Sequence, residues 1–148
     1  MSDYVLIIDD SKMDRFIVEK MVERSALTNT IEKFDRGHSA LDFLNKKIAN
    51  GEDMPMTIFL DINMPEMSGF EFLDEFEQLP ETAKSQCSVV MLSSSLNEDD
   101  LQKSMSYPCV KMYCSKPITP EKLAELKERL SLSDQPVDIN DPNEMGHS

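Results

Sequence analysis

The chain has 148 residues, 40% of them apolar and 29% charged, ordinary proportions for one globular domain with its own core. Its net charge is −13 and Lys and Arg nowhere cluster, so a nucleic-acid backbone is excluded as the expected partner. No secretory leader or membrane-spanning run is expected from these residues, and Cys87, Cys109 and Cys114 sit in apolar stretches without CxxC spacing, as in a reducing compartment; a cytoplasmic protein without a membrane partner is expected.

The first element is an apolar run, Tyr4–Ile8, which reads as a buried strand and ends in two adjacent acids, Asp9 and Asp10. Ser11, with Asp14 three residues on, fits a capping box that opens a helix near 12–25. A second strand is predicted over Thr30–Phe34 and a helix near 38–49. The third strand, Met56–Leu60, finishes at Asp61-Ile62-Asn63-Met64-Pro65. Ser68 with Glu71 repeats the capping box before a helix near 69–79, where Phe72, Phe76 and Leu79 share a face and Pro80 ends the pattern.

The fourth strand, Cys87–Leu92, runs into Ser93-Ser94-Ser95, and Asn97 with Asp100 opens a helix near 97–106. The fifth, Val110–Cys114, is followed by Ser115-Lys116-Pro117. Thr119 before Pro120 suits the start of a last helix near 119–131, with Leu123, Leu126 and Leu130 on one face and Lys127 and Arg129 near the negative end of its dipole. Residues 1–131 are read as one domain. Residues 132–148 hold Asp134, Asp138, Asp141 and Glu144 with no Lys or Arg, and are expected to be a disordered acidic tail.

Five strands alternating with helices predict an α/β fold, a doubly wound five-stranded parallel sheet of flavodoxin-like topology. Such sheets bind ligands at the carboxyl ends of their strands, so Asp9, Asp10, Asp61, Ser93 and Lys116 would converge on one rim. An isolated Asp-Asp pair reads as the solvated start of a loop. Three acids on one rim repel each other unless a cation lies between them, and a hard divalent ion such as Mg²⁺ suits oxygen ligands. Metal and lysine together would neutralise an arriving phosphoryl group, and a carboxylate is a recognised nucleophile for phosphoryl transfer.

The acid pair, the Asp-x-x-Met-Pro stretch with Gly69 after it, the hydroxyl and the Lys-Pro, taken as a set, resemble the response-regulator receiver domain of two-component signalling over residues 3–131. The resemblance implies a strand order of 2-1-3-4-5. It implies Asp61 as phosphoacceptor from a phosphohistidine, and Asp9, Asp10, Asp61 and the backbone carbonyl of Asn63 as ligands of Mg²⁺ or Mn²⁺. Ser93 and Lys116 would bind the phosphoryl oxygens, although Ser94 and Ser95 lie beside Ser93. The Lys116–Pro117 bond would be cis, and Tyr113 would join Ser93 in a phosphorylation switch.

The implied protein is a phosphoacceptor rather than a turnover enzyme. Its partners would be a sensor histidine kinase or histidine phosphotransfer protein and, with no second domain after the last helix, a separate output protein. A haloacid-dehalogenase-type phosphatase is the enzyme alternative, disfavoured because Asn63 stands where its second acid would be. A flavodoxin-like electron carrier lacks its phosphate cradle in Asp9-Asp10-Ser11-Lys12. A degenerate docking receiver or a phosphate sink completes the alternatives.

Overall fold

The computed structural model describes residues 4–28, 30–53 and 55–134, the last four by backbone alone. Five parallel strands, β1 (Tyr4–Ile8), β2 (Ile31–Phe34), β3 (Met56–Asp61), β4 (Cys87–Ser93) and β5 (Val110–Ser115), form one sheet in the order β2-β1-β3-β4-β5. Between and after them run α1 (Lys12–Ser25), α2 (Gly37–Ala49), α3 (Gly69–Phe76), α4 (Glu81–Lys84), α5 (Glu98–Met105) and α6 (Pro120–Asp134). This is the doubly wound architecture that the alternating runs predict.

Both faces of the sheet are covered, which is why its central strands read as unbroken apolar runs. Along β1, Val5 and Ile7 enter one layer and Leu6 and Ile8 the other, all four fully buried. The first layer takes Val18 and Val22 from α1 and Leu123, Leu126 and Leu130 from α6. The second takes Ala40 and Leu44 from α2 and Phe72, Leu73 and Phe76 from α3. Tyr107 and Tyr113, which pack against this second layer, bring the α5 side of the molecule onto the same face.

Several boundaries differ from the sequence expectation, β3, β4 and β5 each running one residue further, through Asp61, Ser93 and Ser115. The helix expected near 69–79 stops at Phe76, so Leu79 leaves the helical stripe while still packing against the core. Pro80 then stands at the head of α4, whose four residues are too few to carry a periodic signal. Thr30 lies outside β2, although its carbonyl accepts the Val5 N–H at 2.9 Å. The last helix runs on to Asp134, three residues into the stretch read as tail; the rest of that tail lies outside the described residues.

The caps vary in completeness. At α3 both halves of the box form, between Ser68 and Glu71. At α1 only one half forms: Ser11 Oγ accepts the Asp14 N–H at 3.2 Å, while the Asp14 carboxylate points elsewhere. Lys127 does not serve its own helix end. Its Nζ donates to the Ser25 carbonyl at 2.6 Å, satisfying the carboxyl end of α1 and fastening α1 to α6. Arg129 likewise reaches out of its helix, to the Lys111 carbonyl at 2.6 Å.

Gly69 fixes the loop that follows Asp61. Its N–H donates to the Ile62 carbonyl at 2.8 Å, folding the start of α3 back under the strand end. A Cβ there would stand 2.6 Å from the Asp61 carbonyl oxygen and 3.0 Å from Ile62 Cα, both backbone atoms that cannot rotate aside. Gly69→Ala should therefore cost about 1–3 kcal/mol of unfolding free energy. Urea titration of the two proteins checks this, and equal midpoints would show that the loop yields.

Candidate functional site

The site begins with register. Ile8 and Leu60 are partners across β1 and β3, so Asp9 and Asp61, the next residues, finish neighbouring strands side by side. They sit where the sheet order reverses direction, the place where open α/β sheets leave a crevice. Both continue the phase of Ile7 and Phe59 and so face the α1/α6 layer. Asp9 and Asp61 are buried and Asp10 is exposed, yet one oxygen from each lies within 4.8 Å of the others.

Lys116 answers this charge from within the chain. It follows β5 in the phase of Met112 and Cys114, and its N–H is tied to the Ser93 carbonyl at 2.8 Å. Its ammonium lies 2.8 Å from Asp9 Oδ2, 2.9 Å from Asp14 Oδ2 and 3.2 Å from Asp61 Oδ1. The Lys116–Pro117 bond is cis. Burial alone would lower the lysine pKa, but hydrogen bonding and charge from Asp9, Asp14 and Asp61 outweigh it and hold the group above its ordinary value.

The acids remain incompletely satisfied. Asp9 Oδ1 accepts the Ser11 N–H at 2.9 Å, but buried Oδ2 is served only by its 2.8 Å ion pair with Lys116. Asp61 Oδ1 accepts the Asn63 N–H at 3.3 Å. Burial first, and the neighbouring Asp9 charge second, push the Asp61 carboxyl up to about 7 against the pull of Lys116. Clustered carboxylates with an underserved buried oxygen are a donor set that can hold a divalent cation.

The remaining expected residues fall into two groups. Ser93 is buried on the phase opposite the acids; its hydroxyl donates to the Ser95 carbonyl at 2.5 Å and accepts the Ser95 N–H at 3.2 Å. Ser94 lines a cleft of about 300 Å³ beside Asp14, Lys116 and Pro117. Asn63 is exposed. Tyr113 is half-buried, its hydroxyl accepting the Asn97 N–H at 3.1 Å at the head of α5, away from the acids.

Two residues here carry no functional sign in the sequence. Asp14 has the appearance of a capping residue, yet its carboxylate meets a lysine 102 positions away. Arg15 donates to the Asp9 carbonyl at 2.7 Å and holds α1 against the end of β1. Only the helix period, which places residues 14 and 15 one turn beyond Ser11, hints that either could turn back to the strand end.

A model of the response regulator receiver domain matches residues 5–128. Among solved structures, a two-component response regulator from Cytophaga hutchinsonii is 32% identical, covering 88% of this chain and 98% of its own, with a TM-score of 0.80. A response regulator receiver protein from Dyadobacter fermentans is 31% identical, with coverage of 85% and 95% and a TM-score of 0.75. The probable methanogenesis regulatory protein FilR2 of Methanothrix harundinacea is 29% identical over 85% of this chain and 79% of its own.

The raised Asp61 pKa sets a pH dependence. Without metal, the folded protein binds this proton more tightly than the unfolded chain, so the stabilisation is full below about pH 4 and is lost as pH rises through about 7. Asp61→Asn should therefore match wild type near pH 4 and exceed it by up to about 4 kcal/mol near pH 8 in chelator, as denaturant titrations at both pH values would show. A gap that does not grow with pH would mean that Asp61 is not held protonated.

Proposed function

The chain belongs to the response-regulator receiver family, a class of regulatory modules rather than turnover enzymes, and on that premise we propose that Asp61 is its phosphoacceptor. The observation that carries this reading is a buried carboxylate at the switch point of the sheet, flanked by two more acids and touched by Lys116. Asp9, Asp10, Asp61 and the backbone carbonyl of Asn63 would hold Mg²⁺ or Mn²⁺. Once bound, that ion would supply positive charge to the phosphoryl oxygens.

In the proposed reaction an Asp61 carboxylate oxygen attacks the phosphorus of a phosphohistidine. The new O–P bond forms as the P–N bond breaks, and the imidazole nitrogen keeps the electron pair and takes a proton. Lys116 leaves Asp61 to pair with a phosphoryl oxygen, and Ser93 donates its hydroxyl to another. Hydrolysis reverses the state: water attacks phosphorus and the carboxylate returns as inorganic phosphate departs. The phosphoryl donor would be a sensor histidine kinase or a histidine phosphotransfer protein.

Ser93 and Tyr113 share the sheet phase that faces α5, since Met91 pairs with Tyr113 and Ser93 with Ser115. For Ser93 to serve the phosphoryl group its hydroxyl must release the Ser95 backbone, which would loosen the loop leading to Asn97 and free Tyr113. That movement is our proposed output, read by a partner at the face of α5 and β5. Residues 1–131 would form the signalling unit, in a cytoplasmic setting.

Incubation with Mg²⁺ and acetyl phosphate should add one hydroxylamine-labile phosphoryl group by intact mass, absent from Asp61→Asn and from metal-free protein. Addition to Asp61→Asn, or addition that ignores chelator, would reject this site. Separately, Ser93→Ala should still be phosphorylated but should lose most of the phosphorylation-dependent shift of the α5 amide resonances. A full shift in that variant removes Ser93 from the switch.

A further inference from the structure

Among the described residues, Asp14 is the one carboxylate touching Lys116 that stands outside the three-acid cluster. Its position follows from a cap left half-made. Ser11 Oγ holds the Asp14 N–H, but the reciprocal contact to the Ser11 N–H is taken by Asp9 Oδ1. The Asp14 side chain is thereby freed to turn across the crevice, where Oδ2 accepts from Lys116 Nζ at 2.9 Å. Of the three carboxylates on the lysine, Asp14 alone stands at the mouth of the crevice, its side chain 34% exposed against 2% for Asp9 and 4% for Asp61.

Lone pairs of Asp9 and Asp61 that are given to a cation are not available to Lys116. Asp14 has no such competing duty, and its side chain, 34% exposed, lies at the mouth beside the cleft that Lys116 and Ser94 also line. Resting on the phosphoacceptor reading above, we propose that Asp14 is a positioning residue: it holds the Lys116 ammonium at the mouth, aimed at the incoming phosphoryl group, when the other two carboxylates are engaged. A charge-assisted hydrogen bond is suited to this, because it restrains a flexible four-carbon stem without neutralising its charge. The opposing effect is repulsion between Asp14 and an anionic donor. The exposed side of the carboxylate is screened by water, so orientation outweighs that repulsion.

The test uses the full chain with Mg²⁺ and phosphoramidate. Asp14→Asn should lower the rate of Asp61 phosphorylation at saturating donor about five- to tenfold, Asp14→Glu should restore part of it, and Mg²⁺ affinity should stay within about twofold. In a Lys116→Met background Asp14→Asn should add nothing further, because the residue acts through the lysine. As a readout independent of chemistry, the Lys116 ammonium proton signal should persist in the Mg²⁺-bound wild type and vanish in Asp14→Asn. An unchanged or faster variant, an equal loss without Lys116, or a surviving ammonium signal would each overturn the proposal. If wild type itself takes no phosphoryl group, the phosphoacceptor reading fails instead, and the ammonium signal alone decides the role of Asp14.

Discussion

Like-charge repulsion at the end of a parallel sheet is the constraint around which this molecule is built. Register places Asp9 beside Asp61, and Asp10 and Asp14 lie within a short reach of them. At about 4 Å two unit charges repel by about 4 kcal/mol at the effective dielectric of a protein surface. Lys116 relieves part of this, and the lysine is delivered by the β4–β5 ladder, whose last bond is from its own N–H to the Ser93 carbonyl. Arg15 on the Asp9 carbonyl and Asp14 on Lys116 then fix α1 to the same point. The charge cluster therefore fastens β1, β3, β5 and α1 together, a role usually left to apolar contacts.

Strand alternation separates the acids and the lysine from the Ser93 hydroxyl and Tyr113. Asp9, Asp61 and Lys116 follow the phase of Ile7, Phe59 and Cys114, whereas Ser93 and Tyr113 follow that of Met91. The acids consequently look toward α1 and α6, and the hydroxyl and the aromatic toward α5. The β4–β5 ladder connects them, because Lys116 and Ser93 share one main-chain hydrogen bond. A change in the position of Lys116 has a covalent and hydrogen-bonded route to the opposite face, with no need of a longer chain of contacts.

The inner strands β1, β3 and β4 were legible because burial on both faces writes them as near-continuous apolar runs with an acid or hydroxyl at their ends, whereas the edge strands β2 and β5 carry Glu32, Lys33 and Lys111 within them. The family resemblance rested on those same end residues, and the family match over residues 5–128 agrees with it. Short elements were less legible: α4 holds too few residues for periodicity to register, and Leu79 satisfied a helical stripe from outside the helix. Asp14 was hidden for a different reason. Its spacing from Ser11 is fully explained by a capping box, and only tertiary geometry shows that Asp9 has taken the other half of that box. A local rule was met on one side, and a long-range contact took the other.

The site is also where the fold gives up stability. Around Lys116 three carboxylates face one ammonium, and Asp10 adds a fourth acid to the rim, so full ionisation leaves the cluster negative. Burial first and this imbalance second raise the Asp61 pKa, so at neutral pH the buried carboxyl gains little from ionising unless a further cation is bound. A hydrophobic replacement would remove the strain and with it every ligand for an ion. Retaining the acids makes the metal-free site a poor electrostatic solution and a receptive one, because any cation that enters relieves repulsion already present. Repulsion among these acids thus enters both terms, lowering the stability of the metal-free fold and adding to affinity for an ion, and it is set by how closely the ends of β1 and β3 bring Asp9 and Asp61 together.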